Sequence, residues 1–298
     1  MKKELTVPRL LVEGAGQCAD LMYASGFHPV DPVVFLDEGK KRTIVVPMLE
    51  YGRAKIECPG VTVVLPDDIA VPKDRRRSWS AWALALLAHR NIKHVQVAAF
   101  CPAGIARELE KNGVTVDICA GAMYPRRAQK TAAEIDHITV AQRAAVAAMR
   151  AAEHQLAEAT IGRAGVLRWK NKILTAEIVR ETIDLTLLRH GCIARDTIVA
   201  GGALAADPHD RGHGPLKAGT TIVIDIFPQH KQSQYWGDIT RTFCKGPRSP
   251  ALTRLYHTVK VAQQRALAML RPGVAGPDVH AMITAFFEQQ GYPTTVKD

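Results

Sequence analysis

Two aspartates have the type and spacing to bind a metal ion, and the first lies inside a run of apolar residues. Asp225 stands in the segment TIVIDIFP, within a predicted strand at residues 221–227. Because alternate side chains of a strand share a face, Asp225 is expected to lie with Val223 and Phe227, opposite the neighbouring isoleucines. A buried carboxylate without a partner is costly, so this position requires a compensating group.

The second aspartate, Asp238, lies in the segment YWGDITRTF, which predicts a return strand at residues 235–243. On that strand Asp238 shares a face with Trp236 and Thr240. Asp238 also follows Gly237, so the residues alone leave a simple turn or surface role open.

Direct pairing of Asp225 and Asp238 across this hairpin would give a cation site. In that register the turn centres on Lys231-Gln232, and the paired Cβ atoms lie about 4.5–5.5 Å apart. Two carboxylates this close repel each other unless a positive charge lies between them. Two-metal hydrolases hold ions about 3.5–4 Å apart, and a carboxylate can bridge such a pair.

The elements that precede the hairpin fall into two groups. Up to residue 130, short β-rich runs alternate with helical patterns, which indicates an α/β domain with a mixed or parallel sheet. The predicted strands are 33–36, 43–46, 61–65, 94–98 and 114–118, and the predicted helices are 48–56, 79–91 and 102–112.

The composition changes near residues 126–131, where Ala, Glu, Gln and Arg become frequent and strand formers become rare. We therefore predict one domain at 1–130 and a second at 131–298, which opens on a long helix at 131–159. Further helices are predicted at 175–189, 249–270 and 277–290, and a strand at 197–200 precedes the aspartate hairpin.

Composition excludes several classes of protein. Apolar residues make up 47% and charged residues 23% of the chain, as in soluble globular proteins, and no apolar run is long enough to span a membrane. The net charge of +10 is dispersed, without a nucleic-acid-binding motif, so we expect no nucleic acid partner. Six scattered cysteines, including Cys18, and no recognisable signal peptide indicate reduced thiols in the cytoplasm.

The segments IVIDIFP and YWGDITRTF, with ADPHDRGHG upstream, resemble the core of the pita-bread metallopeptidases, the family of Xaa-Pro aminopeptidases and prolidases. The resemblance implies a creatinase-type N-terminal α/β domain followed by an α+β pita-bread domain. It implies two divalent metal ions (Mn, Co or Zn), with Asp225 as a ligand to one and Asp238 bridging both. A proline-containing peptide is the implied substrate, and a homodimer the implied assembly.

The same resemblance assigns roles to other side chains. His209 matches the histidine that contacts substrate near the scissile bond, and His213 competes for that assignment. Thr240 matches a position that supports the bridging carboxylate. Tyr235 and Trp236 lie beside Asp238 and are candidates for binding substrate, although they would equally serve to pack the hairpin.

The family site also needs a histidine in a glycine-rich segment and two later glutamates. After Asp238 the sequence offers His257, His280 and Glu288, all within helical patterns, so we interpret them as helix-surface residues. The pita-bread domain is therefore expected to be incomplete at its C-terminus. We predict weak or no metal binding and essentially no activity for the chain alone, because two carboxylates do not make a tight site.

Two other functions stay open at this stage. A creatinase-like hydrolase of C–N bonds shares the fold and works without metal, but the aspartate pair argues against it. A non-catalytic module that binds peptides or proteins on the same scaffold is favoured by the lack of further ligands and disfavoured by retention of both aspartates.

Overall fold

A computed structural model describes residues 7–13 and 19–294 of the chain and contains two compact units, divided after Lys130. The first unit is built on a six-stranded sheet with helices. Its strands are β1 (Arg9–Glu13), β2 (Val33–Asp37), β3 (Arg42–Val45), β4 (Thr62–Val64), β5 (His94–Ala98) and β6 (Thr115–Cys119). Its helices are α1 (Ala19–Ser25), α2 (Met48–Glu57), α3 (Trp79–His89) and α4 (Ala103–Lys111).

The sheet of the first unit is mixed, as the sequence predicted. Its strand order is β4-β3-β2-β1-β5-β6, with β1 antiparallel to β2 and parallel to β5. Every residue of β2 is buried, because apolar clusters cover both faces of the sheet. The sequence analysis missed β1, although this strand occupies a central place, and it also missed α1.

The second unit contains the aspartate hairpin. Its helices are α5 (Ala132–Glu158), α6 (Ala176–Arg189), α7 (Pro250–Met269) and α8 (Gly276–Gln289). Its strands are β7 (Thr160–Ile161), β8 (Leu167–Trp169), β9 (Lys172–Ile173), β10 (Cys192–Ile193), β11 (Ile198–Gly201), β12 (Ile222–Ile226), β13 (Gln229–His230) and β14 (Ile239–Phe243). The small sheet β7-β8-β9 was not predicted.

The long helix α5 starts and packs for identifiable reasons. Thr131 and Glu134 form a capping box, in which each side chain binds the backbone N–H of the other residue. The buried face of α5 consists mainly of alanines, which let other elements approach the helix closely. They are Ala141, Ala144, Ala145, Ala148 and Ala152.

Two general properties of the chain bear on its class. None of the helices within residues 7–13 and 19–294 combines the length and apolarity needed to cross a bilayer. The cysteines that the structure describes, Cys58, Cys101, Cys119, Cys192 and Cys244, carry free thiols, and Cys18 lies outside the described residues.

The loop between β11 and β12 is held by a close contact at Gly212. Its φ is +72°, and an added Cβ would lie 1.9 Å from the carbonyl oxygen of Val199. Gly214 has the similar φ of +71°, but an added Cβ there would meet no atom within 4 Å. Of these two glycines, Gly212 alone combines a left-handed backbone with a lack of space for a side chain.

Gly212→Ala is expected to destabilise the second unit by about 3 kcal/mol or more, since left-handed strain and overpacking add. Gly214→Ala, the matched control, is expected to cost only about 1–2 kcal/mol from its backbone conformation. Urea unfolding monitored by circular dichroism measures the free energy of unfolding of both variants. Equal losses of stability in the two variants would contradict the close contact at Gly212.

The first unit contains a second testable contact, at Glu108. Its carboxylate accepts a hydrogen bond from the Ser80 hydroxyl (2.5 Å) and another from the Arg75 guanidinium. These bonds lower the pKa of Glu108 below its ordinary value of 4.5, with the bond from Ser80 as the larger cause. The contact therefore joins α4 to the first turn of α3 by a charged group.

The pKa of Glu108 is lower in the folded state than in the unfolded state. The carboxylate therefore stabilises the fold above pH 4.5, and this stabilisation is lost as the pH falls through the pKa of the folded state. Glu108→Gln is expected to cost about 1 kcal/mol at pH 7, and the difference from the wild type should vanish in acid. Urea unfolding across pH 3–7 tests this expectation. The exposed Glu110→Gln on the same helix is the control, and should change stability little at any pH.

Candidate metal centre

The strand β12 places Asp225 on the half-buried face of a three-stranded sheet, in the order β11-β12-β14. The burial pattern of β12 alternates, with Ile222, Ile224 and Ile226 fully buried and Val223 and Asp225 half-buried. This confirms the predicted division of the strand into two faces. The three isoleucines bury the strand in the core, and the opposite face carries the carboxylate.

The register of the hairpin differs from the one expected. Asp225 pairs with Thr240, not with Asp238. The N–H of His230 donates to the carbonyl of Tyr235 (2.9 Å), so the turn centres one residue later than expected, at residues 232–233. Direct pairing of the aspartates is therefore wrong, and Asp238 lies diagonal to Asp225.

The physical reason for this register is visible at Thr240. Like charges directly opposite each other destabilise an antiparallel pair. In the observed register a neutral hydroxyl faces Asp225, and Thr240 donates its O–H to the Asp225 carboxylate. A shift of two residues preserves every side chain's face, so Asp238 still lies on the same face as Asp225.

The electrostatics of the pair follow from this proximity. Asp238 is solvent-accessible, yet the surrounding protein partly desolvates its carboxyl, and this raises its pKa above the ordinary value of 3.8. The negative charge of Asp225 raises the pKa of Asp238 further. A bound cation would reverse the unfavourable interaction, so the oxygen donors of this pair fit a divalent metal ion.

Aromatic side chains border the aspartates. Trp236 is 43% exposed and stacks on Phe227, with ring centroids 6.1 Å apart. Tyr235 is turned toward α5, where its hydroxyl donates to Glu134 Oε1 (2.8 Å) and its ring lies 5.4 Å from that of His137. Trp236 thus adds an accessible apolar surface, whereas the Tyr235 hydroxyl fastens the hairpin to the helix.

The two candidate histidines lie in the loop between β11 and β12, after a short 3-10 helix at Gly202–Ala206. His209 and His213 are exposed, and the backbone N–H of His209 donates to Asp207 Oδ1 (3.0 Å). Among the residues the structure describes, neither imidazole makes a hydrogen bond or ion pair with Asp225 or Asp238. The structure thus brings together Asp225, Asp238, Thr240 and Trp236, and leaves the histidines on an exposed loop.

A third protein ligand is not visible in the described part of the chain. Within residues 7–13 and 19–294, no group of three or more His, Cys, Asp or Glu side chains could hold a metal ion. His257, on α7, and His280 and Glu288, on α8, are exposed, which confirms their interpretation as helix-surface residues.

One residue at this site escaped the sequence analysis. Gln142, on α5, binds both backbone polar groups of Asp238 with its side-chain amide. Glutamine is common on helices, so its type gave no signal. The only sequence cue was its place beside the alanines of the buried helix face, at Ala141 and Ala144.

The chain was compared with known families and proteins. Residues 136–297 match the model of metallopeptidase family M24. The chain is 25% identical over 281 residues to an Xaa-Pro dipeptidase of Pyrococcus horikoshii, covering 92% of this chain and 71% of that protein. An Xaa-Pro dipeptidase of Pyrococcus furiosus is 26% identical over 280 residues, at the same coverage.

Solved structures show the same fold. The prolidase from Pyrococcus horikoshii superposes with a TM-score of 0.78 and 24% identity, covering 96% of this chain and 74% of that chain. An X-Pro aminopeptidase from Thermotoga maritima gives a TM-score of 0.76 at 22% identity, covering 96% and 76%. These likenesses confirm the predicted pita-bread architecture, and the family match spans more than half of the sequence. The chain therefore belongs to metallopeptidase family M24.

Proposed function

We propose that this chain carries part of a metal site for hydrolysing a peptide bond next to proline, with Asp225 and Asp238 as ligands. The observation that carries the proposal is the placement of two carboxylates on one sheet face, where partial desolvation and then the charge of Asp225 raise the pKa of Asp238. The proline-directed activities named for the relatives from Pyrococcus and Thermotoga support the substrate class.

In the proposed site Asp225 would hold one divalent ion and Asp238 would be shared between two, with manganese, cobalt or zinc as the candidate metals. Bound metal supplies Lewis acidity and a water of lowered pKa. The chain's own residues then orient the site. Thr240 fixes the rotamer of Asp225 by its hydrogen bond, and the backbone contacts of Asp238 hold the second carboxylate diagonal to the first.

The surroundings of the pair suit a proline-containing peptide. The exposed ring of Trp236, backed by Phe227, offers an apolar surface on which a pyrrolidine ring packs. We assign His209 to the substrate carbonyl near the scissile bond and keep His213 as the alternative. Tyr235 contributes through its ring, since its hydroxyl is bound to Glu134.

We also propose that the 298-residue chain binds metal weakly by itself and hydrolyses little. Metal sites of this kind normally need three or more protein ligands per ion, or bridges that supply them. Among the described residues no group of three or more His, Cys, Asp or Glu side chains could hold an ion. A homodimer in the cytoplasm remains our expectation for assembly and location, and light scattering on the purified chain would measure the assembly.

The creatinase-like alternative is the weaker proposal. A site that works without metal gains nothing from two adjacent carboxylates, whose repulsion is uncompensated in the absence of a cation. Hydrolysis of a guanidino compound that persists in the presence of a chelator would favour this alternative. Binding of proline-containing peptides without metal would favour the non-catalytic module.

The proposed metal role predicts opposite effects of Asp238→Asn with and without metal. Without metal, this variant should melt at the wild-type temperature or slightly above it, because a like-charge interaction is removed. With manganese at about ten times its dissociation constant, the wild type should melt about 3–6 °C higher and Asp238→Asn should not respond. Differential scanning calorimetry measures both conditions.

The control for this experiment is Asp136→Asn, which makes the same charge change at an exposed site on α5. It should keep the wild-type response to manganese. If Asp238→Asn responds to manganese as the wild type does, Asp238 is not a ligand.

The weak-site proposal predicts that the chain cleaves an Xaa-Pro dipeptide no faster than its Asp225→Asn variant does, at millimolar manganese or cobalt. The reason is that two carboxylates alone leave the metal with too few protein ligands. A chromogenic proline assay measures the released product. Robust cleavage that is lost in Asp225→Asn would contradict the weak site while supporting the proposed activity.

A further inference from the structure

The backbone of Asp238 lies at the edge of the three-stranded sheet, with its polar groups directed outward. The N–H of Gly237 donates to the carbonyl of Pro228, at 3.0 Å. Because hydrogen-bonded and non-bonded positions alternate in an antiparallel ladder, the next residue points its N–H and C=O away from β12. In the part of the chain that the structure describes, β14 is the outer strand of this sheet, so no neighbouring strand of the sheet there serves Asp238.

One side chain takes the place of that missing strand. The side-chain amide of Gln142 donates to the carbonyl oxygen of Asp238 (2.8 Å) and accepts from the N–H of Asp238 (2.9 Å). An amide is the side-chain group that offers a donor and an acceptor side by side at this spacing. Both outward backbone groups of Asp238 are therefore bound to a single residue of α5.

The adjacent glycine lets the helix come this close. An added Cβ at Gly237 would lie 2.6 Å from the carbonyl oxygen of Ala141 and 2.8 Å from the nitrogen of Gln142. Ala141 itself is fully buried. The hairpin and α5 thus meet backbone to backbone immediately before Asp238. This contact brings the side chain of Gln142 within hydrogen-bonding distance of the Asp238 backbone.

A second anchor holds the hairpin three residues before Asp238. The Tyr235 hydroxyl donates to Glu134 Oε1, at 2.8 Å, while Glu134 Oε2 accepts from the N–H and the hydroxyl of Thr131, at the start of α5. The first part of α5 is therefore bound to the hairpin at two places. Only the anchor at Gln142 acts directly on the backbone of a proposed ligand.

We propose that Gln142 is a positioning residue for Asp238, acting through its backbone to keep the carboxylate near Asp225. The inference rests on the proposed metal role of the aspartate pair. Repulsion between the two carboxylates tends to separate them before a cation binds. Gln142 opposes that separation, so the pair is preorganised for an ion that prefers oxygen donors.

Terbium is a suitable probe, because it prefers oxygen ligands and emits when a nearby indole is excited. Trp236 lies on the same face as Asp238, two residues away. The experiment titrates Tb³⁺ into the full chain and into Gln142→Ala, and records the sensitised emission. The Gln142→Ala variant is expected to bind Tb³⁺ about tenfold more weakly than the wild type. This is the low end of the loss of metal affinity that follows removal of a group supporting a metal ligand.

The matched control is Arg143→Ala, the exposed neighbour on the same helix, which should bind Tb³⁺ as the wild type does. Two further measurements separate positioning from general stability. Amide exchange of Asp238 should accelerate in Gln142→Ala, while its melting temperature should stay close to that of Arg143→Ala. Gln142→Asn, shorter by one methylene, replaces Gln142→Ala if the alanine variant does not fold.

The outcomes distinguish the inference from the function on which it rests. If Gln142→Ala and Arg143→Ala bind Tb³⁺ equally, while Asp225→Asn does not bind, the inference is overturned and the metal role stands. If the wild type and Asp225→Asn give the same emission, both are overturned. A weaker affinity that comes only with a lower melting temperature, and with unchanged Asp238 exchange, also overturns the positioning role.

Discussion

The repulsion between Asp225 and Asp238 is the constraint around which the second unit is built. The two carboxylates share one face of a small sheet, and the charge of Asp225 adds to the effect of desolvation in raising the pKa of Asp238. A folded chain that keeps this arrangement gives up stability in the absence of a cation. The surrounding contacts limit this loss of stability and fix the geometry of the pair. Thr240 places an uncharged hydroxyl opposite Asp225, and Gln142 holds the backbone of Asp238.

The alanine-rich face of α5 makes this arrangement possible. Small side chains let the helix lie against both α6 and the hairpin. Gly237 allows the close approach because it has no Cβ, which would clash with the backbone of α5. On the other side of β12, three isoleucines are fully buried in the core. Asp225 therefore lies on a strand whose opposite face is anchored in the core, and Asp238, just before β14, is held by hydrogen bonds from α5. A rigid scaffold positions a charged site in this way.

The sequence predicted the faces of the hairpin well and its register poorly, for a physical reason. The alternation of Ile222, Ile224 and Ile226 fixes which side of β12 is buried, but a slip of two residues leaves that alternation intact. Only the pairing of Asp225 with Thr240 distinguishes the two registers, and it depends on charge and hydrogen bonding. Gln142 was missed because a single glutamine on a helix is unremarkable until the strand beside it is known.

The same limit applies to the first unit. The predicted strands there were found within a residue or two, and β1 was missed because its five residues follow a short N-terminal stretch without clear alternation. Its central place depends on partners on both sides, which pair over long sequence separations. Family resemblance predicted the architecture, which is confirmed, and it proposed the role of the aspartates, whereas contacts between distant residues could be read only from the structure.

The backbone contact between Gly237 and Ala141 also bears on how this site can change over time. A side chain at Gly237 requires the helix to move away, and any such movement withdraws Gln142 from Asp238. A substitution at this contact therefore affects the packing of α5 and the placement of the aspartate pair together. Restoring both requires coordinated changes on α5 and on the hairpin. At exposed positions of the same helix, such as Arg143, we expect side chains to vary without moving the backbone that holds the charge.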